Sequence, residues 1–489
     1  MIKFNGNILQ FGFGAVGKSF FEKLSKEIDY NELNYYVITK DDDEFKAYIN
    51  LGGIAQNFFI ADVNKDNFIE LFSKFLHEGD LLIDFADTVG TKDILKWCAD
   101  NNIMYINTGE ADWPDNWYSI FNENTKKQEL INYYKNEPNL NKVPIVLQHG
   151  NNPGLVSHFT KAALEYVVTT QFKKDKHLKH LLKESKFNEI AQYLGVEMIH
   201  VNDIDLQIIK EDFDMKKLMS TWCIDSFFFE LLSEATQNVG THEVFNDESI
   251  YNMYDQEKGY LEYKTLAKDK LIKTKYPNGY FEGYLVPHEE TITIANSLTV
   301  KENGKVIYRP SVMFVYSPCN LAKEYLKQSK VNEYPNPDPT KPQDVENPTG
   351  ISIVRGHIYP NNQEIAYQEK IKEGTEYVGI LLIGKNFKPV WVGNRIELKY
   401  LYKNKKLSYW QTPTITPVAM SALAAVKWMI KHQDKGGIYF PDDIKEYKEI
   451  IKSSEKYISK TIYKTFTKEE VEKDLNIKLD NIKSQNFFI

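Results

Sequence analysis

A glycine-rich turn near the amino terminus constrains the fold of this chain more than any other feature. Gly12-Phe13-Gly14-Ala15-Val16-Gly17 follows an apolar run that includes Ile8 and Leu9, and residues 18–24 after it have helical spacing. In such a strand–turn–helix unit the first glycine permits the turn, the second admits a pyrophosphate, and the third allows close packing of helix and strand. The motif predicts a dinucleotide site at Gly12, Gly14, Ala15, Val16 and Gly17, with a purely structural glycine turn as the alternative.

Strand and helix signals alternate through the first 150 residues. Apolar runs predict strands at residues 35–38, 57–62, 81–85, 103–106 and 143–147, and helical stretches such as 92–98 separate some of them. This alternation indicates an α/β fold with a Rossmann-type, doubly wound parallel sheet. Ligands of such sheets lie beyond the carboxyl ends of the strands. We therefore expect cofactor contacts from polar residues that follow strands: Asp87, Thr88, Asn107, Thr108 and Asn152.

A chain of 489 residues is too long for one hydrophobic core, so more than one domain is expected. Asn152-Pro153-Gly154, followed by a helical pattern at 155–168, indicates a hinge. We predict an NAD-binding Rossmann-type domain at 1–152 and a mixed α+β substrate domain at 153–400. A C-terminal helical part at 401–489 is expected to pack back on the first domain through the alanine-rich apolar helix 417–430.

Short β-rich runs support the mixed character of the second domain. They lie at residues 198–201, 290–294, 312–315 and 380–383. The stretch 334–350 carries five prolines and is predicted to be a surface loop.

Net charge, apolar segments and cysteine spacing argue against several kinds of partner and site. The net charge of −8 argues against nucleic acid as a partner. Neither a signal peptide nor an apolar stretch long enough to span a bilayer is present, so we expect a cytoplasmic protein without a membrane partner. Cys98, Cys223 and Cys319 are too far apart in sequence to suggest a disulfide framework or a metal-ligand pair, and no metal is expected.

The residues after the second predicted strand bear on the choice of dinucleotide. The chain reads Ile38-Thr39-Lys40-Asp41-Asp42, without an acidic residue in the standard place. Asp41 could reach the ribose hydroxyls, and a solvated Asp-rich loop is equally consistent with the sequence. No arginine is nearby to hold a 2′-phosphate, although Lys40 could, so we expect NAD rather than NADP.

Five further motifs stand in a fixed order, of which the first contains the predicted hinge. They are Gln-His-Gly-Asn-Asn-Pro-Gly-Leu-Val-Ser-His at 148–158, Trp-Cys-Ile-Asp at 222–225 with Glu230, Gly-Thr-His-Glu at 240–243, Pro-His-Glu-Glu at 287–290 and Tyr-Arg-Pro-Ser-Val at 308–312. Together they resemble the bacterial homospermidine synthases, a family of the saccharopine-dehydrogenase-like group. The resemblance runs in patches from residue 8 to about residue 440, and the segment His149–His158 is its most specific element.

The resemblance implies a tightly held NAD that is reduced and reoxidised within one turnover. It implies that putrescine is oxidised to an imine, that a second amine attacks with loss of ammonia, and that the Schiff base is reduced to homospermidine. Spermidine is implied as an alternative donor of the aminobutyl group. A homodimer is implied as well.

A diamine is dicationic at neutral pH, so its pocket requires carboxylates at two ends and a base for the reacting amine. An iminium intermediate requires a negative or π-rich face, which Trp222 could supply, although a plain core tryptophan is the alternative. By its match to the family Glu230 becomes a substrate carboxylate, and its spacing of eight residues would let one helix present both side chains. Asp203 stands where the family has a glutamate, with Asp205 as the competing choice.

Three further residues complete the predicted site. The amide of Asn152 could accept from an ammonium and touch the nicotinamide, although a structural turn asparagine is the alternative. His288 could orient a carboxylate or shuttle a proton, or could be a satisfied, non-catalytic histidine. The family has an acidic residue near Glu110 and Asp112, and we assign Glu110; His149 and His158 receive no catalytic role.

Two other functions stay open at this point. Saccharopine or carboxyspermidine dehydrogenase-like enzymes act on amino acids and must hold an α-carboxylate, for which arginine is best suited. The chain has only Arg309, Arg355 and Arg395, and none lies in the stretches that place Trp222, Asp203 or Asn152. A non-catalytic NAD-binding protein of the same fold is the second alternative.

Overall fold

The computed structural model describes most of the chain in two compact units. The described residues are 1–86, 89–111, 113, 132, 133, 136, 142–214, 216–245, 251–255, 259–328, 345–346, 351–354, 357–360, 362–401 and 408–489. The first unit comprises 1–117, 126–155 and 404–458, and the second comprises 118–125, 156–403 and 459–489. Most of the proline-rich segment 334–350, predicted to be a loop, lies outside the described residues.

A seven-stranded, all-parallel sheet forms the centre of the first unit. In spatial order its strands are Gly437–Tyr439, Pro144–Val146, Met104–Asn107, Leu81–Asp84, Ile8–Phe11, Tyr35–Thr39 and Phe58–Ile60. The first six strands in sequence thus follow the order 3-2-1-4-5-6, which is the doubly wound order of dinucleotide-binding sheets. The predicted Rossmann-type fold is confirmed, and each of the five further predicted strands is present.

Helices of the first unit cover the sheet. Their bounds are Ala15–Glu27, Glu44–Asn50, Phe68–Phe72, Thr91–Asp100, Ile415–Lys431 and Tyr447–Ser454. Helix Ile415–Lys431 packs against helix Ala15–Glu27, and all but three of its residues are buried. The alanine-rich run predicted at 417–430 is therefore a helix of this unit. The division at residues 152 and 400 stays a prediction about domains.

Glu27 ties the carboxyl-terminal part of the first unit to its first helix. Lys427 Nζ donates to Glu27 Oε2 at 2.5 Å, Tyr457 Oη donates to Oε1 at 2.6 Å, and Lys456 Nζ also donates to Oε1. Burial by itself raises the pKa of Glu27, but these three donors outweigh it and hold the pKa at about 2. At pH values above the ordinary pKa of a glutamate, the ionised carboxylate of Glu27 therefore stabilises the folded state. This contribution is lost as the pH falls toward 2.

Replacing Glu27 by Gln should lower the free energy of unfolding by about 1–3 kcal/mol, because it leaves two ammonium groups without their carboxylate. Urea unfolding at neutral pH measures this change. Asp100→Asn is a matched control, since Asp100 pairs with Lys96 at 3.1 Å on the exposed face of a helix, where such pairs contribute about 0.5 kcal/mol or less. Equal effects of the two variants would contradict the anchoring role of Glu27.

A mixed sheet forms the centre of the second unit. Its main path runs Tyr251–Asp255, Tyr260–Leu266, Glu234–Asn238, Ser311–Ser317, Val196–Asp205, Thr375–Gly384, Val390–Glu397 and Ile462–Thr465. The hairpin Leu271–Tyr276 and Gly279–Leu285 joins it through Ser311–Ser317. The central strands Val196–Asp205 and Ser311–Ser317 run parallel, and every residue of both is buried. The predicted mixed α+β character of the second domain is confirmed.

One helix of the second unit stands where the sequence analysis predicted a β-rich run. The helices of this unit have the bounds Leu155–Gln171, Lys176–Lys183, Phe187–Leu194, Ile224–Leu232, Glu289–Ser297, Asn320–Gln328, Leu398–Leu401 and Lys468–Leu475, of which the first begins at the boundary between the units. The β-rich reading of residues 290–294 is wrong, because this stretch is helical. Its Thr and Ile residues favour a strand locally, but Glu289 and Glu290 suit the first turn of a helix, and Glu289–Ala295 is buried throughout.

Short strand pairs complete the described structure. They are Ile2–Lys3 with Ile28–Asp29, Ile208–Ile209 with Ile371–Glu373, Leu218–Ser220 with Gln363–Ile365, Val300–Glu302 with Lys305–Tyr308, and the set Val345–Glu346, Ile351–Val354 and His357–Pro360. Among the helices that the structure describes, none is both long enough and apolar enough to cross a bilayer.

Candidate functional site

The glycine turn of the first unit has the geometry that a pyrophosphate requires. Gly12 has a φ of 87°, a left-handed conformation that favours glycine. A Cβ atom at Gly17 would lie 2.5 Å from Gln10 Nε2 and 2.6 Å from the carbonyl oxygen of Gly12, so only glycine permits this approach of helix and strand. A Cβ at Gly14 would meet nothing within 4 Å, which leaves its backbone accessible at the start of helix Ala15–Glu27. These residues fit a dinucleotide phosphate group.

Polar residues follow the strands of the first sheet as predicted. Asn107 is buried at the end of strand Met104–Asn107, and Thr108 and Glu110 are half-buried in the turn behind it. Asp87 and Thr88, predicted to contact the cofactor, lie outside the described residues, as does Asp112. Their assignments stay predictions.

The segment His149–Gly154 forms a tight, mostly buried loop in the first unit. Gly150 N–H donates to the carbonyl oxygen of Pro153 at 2.8 Å, and a Cβ at Gly154 would lie 2.0 Å from the carbonyl oxygen of Gly150. Asn152 is half-buried within this loop, in the same unit as Glu110. His149 is buried, and its Nδ1 contacts Ser421 Oγ at 3.2 Å. The glycines of the motif thus allow the chain to fold back on itself.

Four of the six predicted catalytic residues lie in the second unit: Trp222, Glu230, Asp203 and His288. Strand Ser311–Ser317 links them, because it contacts His288 and Trp222 and pairs with the strand of Asp203. Phe314 and Tyr316 are two residues apart on this strand, so their side chains lie on the same face of the sheet. Tyr316 is paired in register with Asp203 on the neighbouring strand, which places Asp203 on that face as well. We call the set Asp203, Trp222, Phe227, Glu230, His288, Phe314 and Tyr316 the carboxylate–aromatic cluster.

Trp222 contacts this face of the sheet through Tyr316. Its Nε1–H donates to the hydroxyl of Tyr316 at 2.7 Å, and the ring centroids of Trp222 and Tyr316 are 6.1 Å apart in an edge-on arrangement. Phe227 contacts both rings, with centroids 6.4 Å from each. The indole is only half-buried, so it keeps an accessible surface.

Trp222 and Glu230 do not share one helix, as their spacing had suggested. The helix begins at Ile224, and Trp222 lies in the bend before it. Glu230 shares a helix face instead with Phe227, three residues earlier. The two predicted residues still reach one cluster, because Phe227 contacts Trp222 and Glu230 lies beside His288.

His288 lies between carboxylates and against an aromatic ring. Its Nε2 is 3.6 Å from Glu230 Oε1, its Nδ1 contacts Glu290 Oε2, and its ring stacks on Phe314 with centroids 4.1 Å apart. Burial by itself lowers the pKa of His288, but Glu290 and Glu230 outweigh it and raise the pKa well above its ordinary value. The imidazole is therefore protonated at neutral pH and links Glu230 to the buried Glu290.

The two neighbouring aspartates differ in their surroundings. Asp205 accepts from the hydroxyl of Thr221 at 2.5 Å and from the backbone and side chain of Gln207 at 2.8 and 3.0 Å. Thr221 directly precedes Trp222, so Asp205 holds the bend that carries the indole. Asp203, 7% exposed, lies beside Tyr316. The assignment of Asp203, rather than Asp205, to a ligand stays a prediction.

Asp205 should make the stability of the protein fall as pH rises from about 4 to about 6. Burial raises the pKa of its carboxyl to about 6, so in this window the native state holds a proton that the unfolded chain has released. Asp205→Asn lacks this titration. Between about pH 4 and pH 7 the free energy of unfolding of the wild-type protein, measured with urea, should therefore fall by about 2–3 kcal/mol relative to that of the variant.

Asp212→Asn provides the control for this pH series, since Asp212 is exposed in the same unit. It makes the same chemical change at a position without the contacts of Asp205 to Thr221 and Gln207. A pH-independent difference between Asp205→Asn and the wild-type protein would contradict the raised pKa of the Asp205 carboxyl.

His288 of the cluster and the two glutamates that follow it in sequence could hold a metal ion. Donor atoms of His288, Glu289 and Glu290 lie within 4.8 Å of one another. Acidic groups at this spacing also occur without a metal, and here the imidazolium already provides the counter-charge. The expectation that no metal is used stays a prediction.

Sequence reasoning missed three aromatic members of the cluster, Phe227, Phe314 and Tyr316. Each stands in an apolar run that reads equally well as core. Alternation along the strand could have placed Phe314 and Tyr316 on one face, but the register that pairs Tyr316 with Asp203 joins strands separated by more than a hundred residues. Only the folded sheet supplies that information.

A family model and curated relatives resemble this chain. Residues 8–140 match the model of the saccharopine dehydrogenase NADP binding domain. The homospermidine synthase of Mesorhizobium japonicum is 24% identical over 443 residues, covering 88% of this chain and 84% of the relative. The homospermidine synthase of Blastochloris viridis is 24% identical over 460 residues, covering 90% and 87%. The resemblance to homospermidine synthases extends through both units.

Solved structures share the fold. The homospermidine synthase of Legionella pneumophila in complex with NAD superposes with a TM-score of 0.78 at 23% identity, covering 95% of this chain and 92% of that one. The saccharopine dehydrogenase (L-Glu forming) of Saccharomyces cerevisiae gives a TM-score of 0.53 at 11% identity, covering 94% and 100%. The arrangement of a parallel sheet followed by a mixed sheet thus recurs among known enzymes.

Proposed function

We propose that this chain, which is related to the homospermidine synthases over about nine-tenths of its length, is an NAD-dependent homospermidine synthase. It would condense two putrescine molecules, or spermidine and putrescine, to homospermidine. The observation that carries the proposal is the carboxylate–aromatic cluster, in which Glu230 lies beside His288, Asp203 lies beside Tyr316, and the half-buried indole of Trp222 donates to Tyr316. Such a set of side chains suits a polyamine cation.

The reaction conserves redox state. Bound NAD would supply the reversible removal and return of a hydride, so that a diamine becomes an imine and the condensed Schiff base is reduced without net oxidation. Two putrescines then give one homospermidine and one ammonia. The protein has to bind polycations, stabilise a cationic imine and move protons.

Glu230 and Asp203 would hold the ammonium groups of the substrate. Charge-assisted hydrogen bonds from an ammonium to a carboxylate are about twice as strong as neutral ones. His288 lies 3.6 Å from Glu230 and fixes the orientation of its carboxylate, while Glu290 on the other side balances the imidazolium charge. Glu230 would then also accept a proton from the reacting amine.

Trp222 would face the iminium carbon–nitrogen bond. The hydrogen bond from its Nε1–H to Tyr316 fixes the indole plane, and burial together with Asp205 and Asp203 raises the pKa of Tyr316 well above its ordinary value. The phenol therefore stays neutral and does not compete for the cation. An indole face stabilises a desolvated cation by about 2 kcal/mol.

The first unit would hold NAD. Gly12, Gly14 and Gly17 suit the pyrophosphate, and Ala15 and Val16 supply N–H groups at the helix start. Asn107, Thr108 and Asn152 are proposed cofactor contacts, and Asn152 and Glu110 are proposed to meet the substrate as well. Asp41 is exposed after the second strand, and NAD remains our choice over NADP. We also propose a cytoplasmic homodimer.

A dehydrogenase that acts on an amino acid is the alternative that the fold allows. It would require a cation for the α-carboxylate. Arg309 donates through Nε to the carbonyl oxygen of Val239, and Arg395 pairs with Glu397 at 2.8 Å. Arg355 lies outside the described residues. The acidic character of the cluster supports a diamine instead.

Incubation of the purified protein with NAD and putrescine tests the proposal. Mass spectrometry should detect homospermidine, with one ammonia released per product and no accumulation of NADH. Accumulation of NADH with an amino-acid substrate would identify the dehydrogenase alternative. A protein that binds NAD but forms no product from any of these substrates would be the non-catalytic relative.

A further inference from the structure

Two buried amides at the carboxyl edge of the first sheet have hydrogen-bonding atoms without partners among the described residues. Asn107 ends strand Met104–Asn107 and is 2% exposed, and Gln148 follows strand Pro144–Val146 and is 1% exposed. Asn107 Nδ2 and both Nε2 and Oε1 of Gln148 are buried in this state. A buried amide without a hydrogen-bonding partner destabilises the fold, so these atoms indicate a ligand.

Hydrogen bonds fix the Asn107 side chain and the backbone of Gln148. Gln148 N–H donates to Asn107 Oδ1 at 2.7 Å, and His149 N–H donates to the carbonyl oxygen of Asn107 at 2.9 Å. The first bond identifies which atom of the Asn107 amide is the oxygen and leaves its NH2 group to donate elsewhere. Gln148 has a φ of 56°, an uncommon left-handed conformation for a residue with a side chain. Such conformations cluster at functional sites.

The chemistry of these atoms narrows the class of ligand. They comprise two NH2 groups that donate and one carbonyl oxygen that accepts. A diammonium substrate offers only donors, so it could not satisfy either NH2 group. A carboxamide offers a carbonyl oxygen and an NH2 group together, and so complements both Asn107 and Gln148.

The position in the sheet identifies the carboxamide. Strands Met104–Asn107 and Pro144–Val146 are the second and third neighbours of Ile8–Phe11, which carries the glycine turn. They lie about 10 and 15 Å from it on the side away from Tyr35–Thr39. A dinucleotide bound across such a sheet places its second nucleotide over this half. We infer that Asn107 and Gln148 bind the carboxamide of the nicotinamide ring, an inference that rests on the proposed use of NAD.

Binding measurements on three ligands test this inference without any assay of turnover. Isothermal titration calorimetry of the wild-type protein and of Gln148→Leu should be carried out with NAD, with ADP-ribose, which lacks nicotinamide, and with 3-acetylpyridine adenine dinucleotide, which lacks the NH2 group. Gln148→Leu should weaken NAD binding about 10- to 100-fold and change ADP-ribose binding less than about twofold. The wild-type protein should prefer NAD to the acetylpyridine analogue, and the variant should lose most of that preference.

The control variant is Gln56→Leu, because Gln56 is exposed in the same unit. This variant should leave all three affinities unchanged.

The other outcomes separate the possible failures. If the wild-type protein binds neither NAD nor ADP-ribose, the proposed function fails. If it binds both and Gln148→Leu alters neither affinity, the assignment of Gln148 is overturned while the proposed function stands. Equal loss of NAD and ADP-ribose binding would show a general effect on the first unit and would likewise overturn the assignment.

Discussion

Replacing Glu230 by Gln should lower the rate of homospermidine formation about 100-fold or more while NAD stays bound. The amide keeps the size of the side chain, but it loses the charge that holds an ammonium and the capacity to accept its proton. Asp203→Asn should reduce turnover in the same direction, since it removes the second carboxylate beside Tyr316. Steady-state product formation and calorimetric NAD titration measure the two effects separately.

A matched control and a spectroscopic readout accompany the Glu230 variant. Glu189→Gln makes the same chemical change at an exposed ion pair with Lys186 in the same unit and should leave the rate within about twofold. Because Glu230 helps to raise the pKa of His288, an NMR titration should show a lower His288 pKa in Glu230→Gln. Product formation by Glu230→Gln at the wild-type rate would remove Glu230 from the site.

Truncation of Trp222 to Ala should slow the reaction about 30-fold or more, whereas Trp222→Phe should slow it only a few-fold. A desolvated cation over an indole gains about 2 kcal/mol, which corresponds to about 30-fold in rate if it is confined to the transition state. The phenyl ring keeps part of the π face, but it loses the hydrogen bond to Tyr316. Single-turnover rates with saturating putrescine measure this difference.

Tyr316→Phe separates the hydrogen bond from the π face. It keeps the indole and removes only the acceptor of Nε1–H, so its effect should resemble that of Trp222→Phe rather than that of Trp222→Ala. If Trp222→Phe and Trp222→Ala were equally slow, an aromatic face over a cation would not be the function of this side chain.

Local patterns in the sequence predicted the elements that local physics determines. The glycine turn, the parallel strands and the apolar helix Ile415–Lys431 each carry their signal within a short window. The stretch 290–294 shows where that logic fails. Its β-branched residues favour a strand, but complete burial against neighbouring elements decides for a helix.

The sequence allowed us to predict which side chains the candidate site contains, but not how they are arranged. The family resemblance pointed to Trp222, Glu230, Asp203 and His288, all of which enter the carboxylate–aromatic cluster. Their mutual positions depend on strand register and on Phe314, Tyr316 and Phe227, for which the sequence gives no signal other than that of a buried core. The choice between Asp203 and Asp205 was also open in the sequence, since both lie on one face, and the fold adds that Asp205 accepts a hydrogen bond from Thr221 beside Trp222.

The return of residues 404–458 to the first unit affects how the chain folds during synthesis. Strand Gly437–Tyr439 pairs with Pro144–Val146, and helix Ile415–Lys431 covers helix Ala15–Glu27. A ribosome therefore releases the early strands long before their last neighbour emerges, and in the meantime one margin of the sheet has unsatisfied main-chain groups. Amino-terminal fragments that stop near residue 155 should aggregate, and chaperone dependence should be greatest for the nascent chain just before helix Ile415–Lys431 is made.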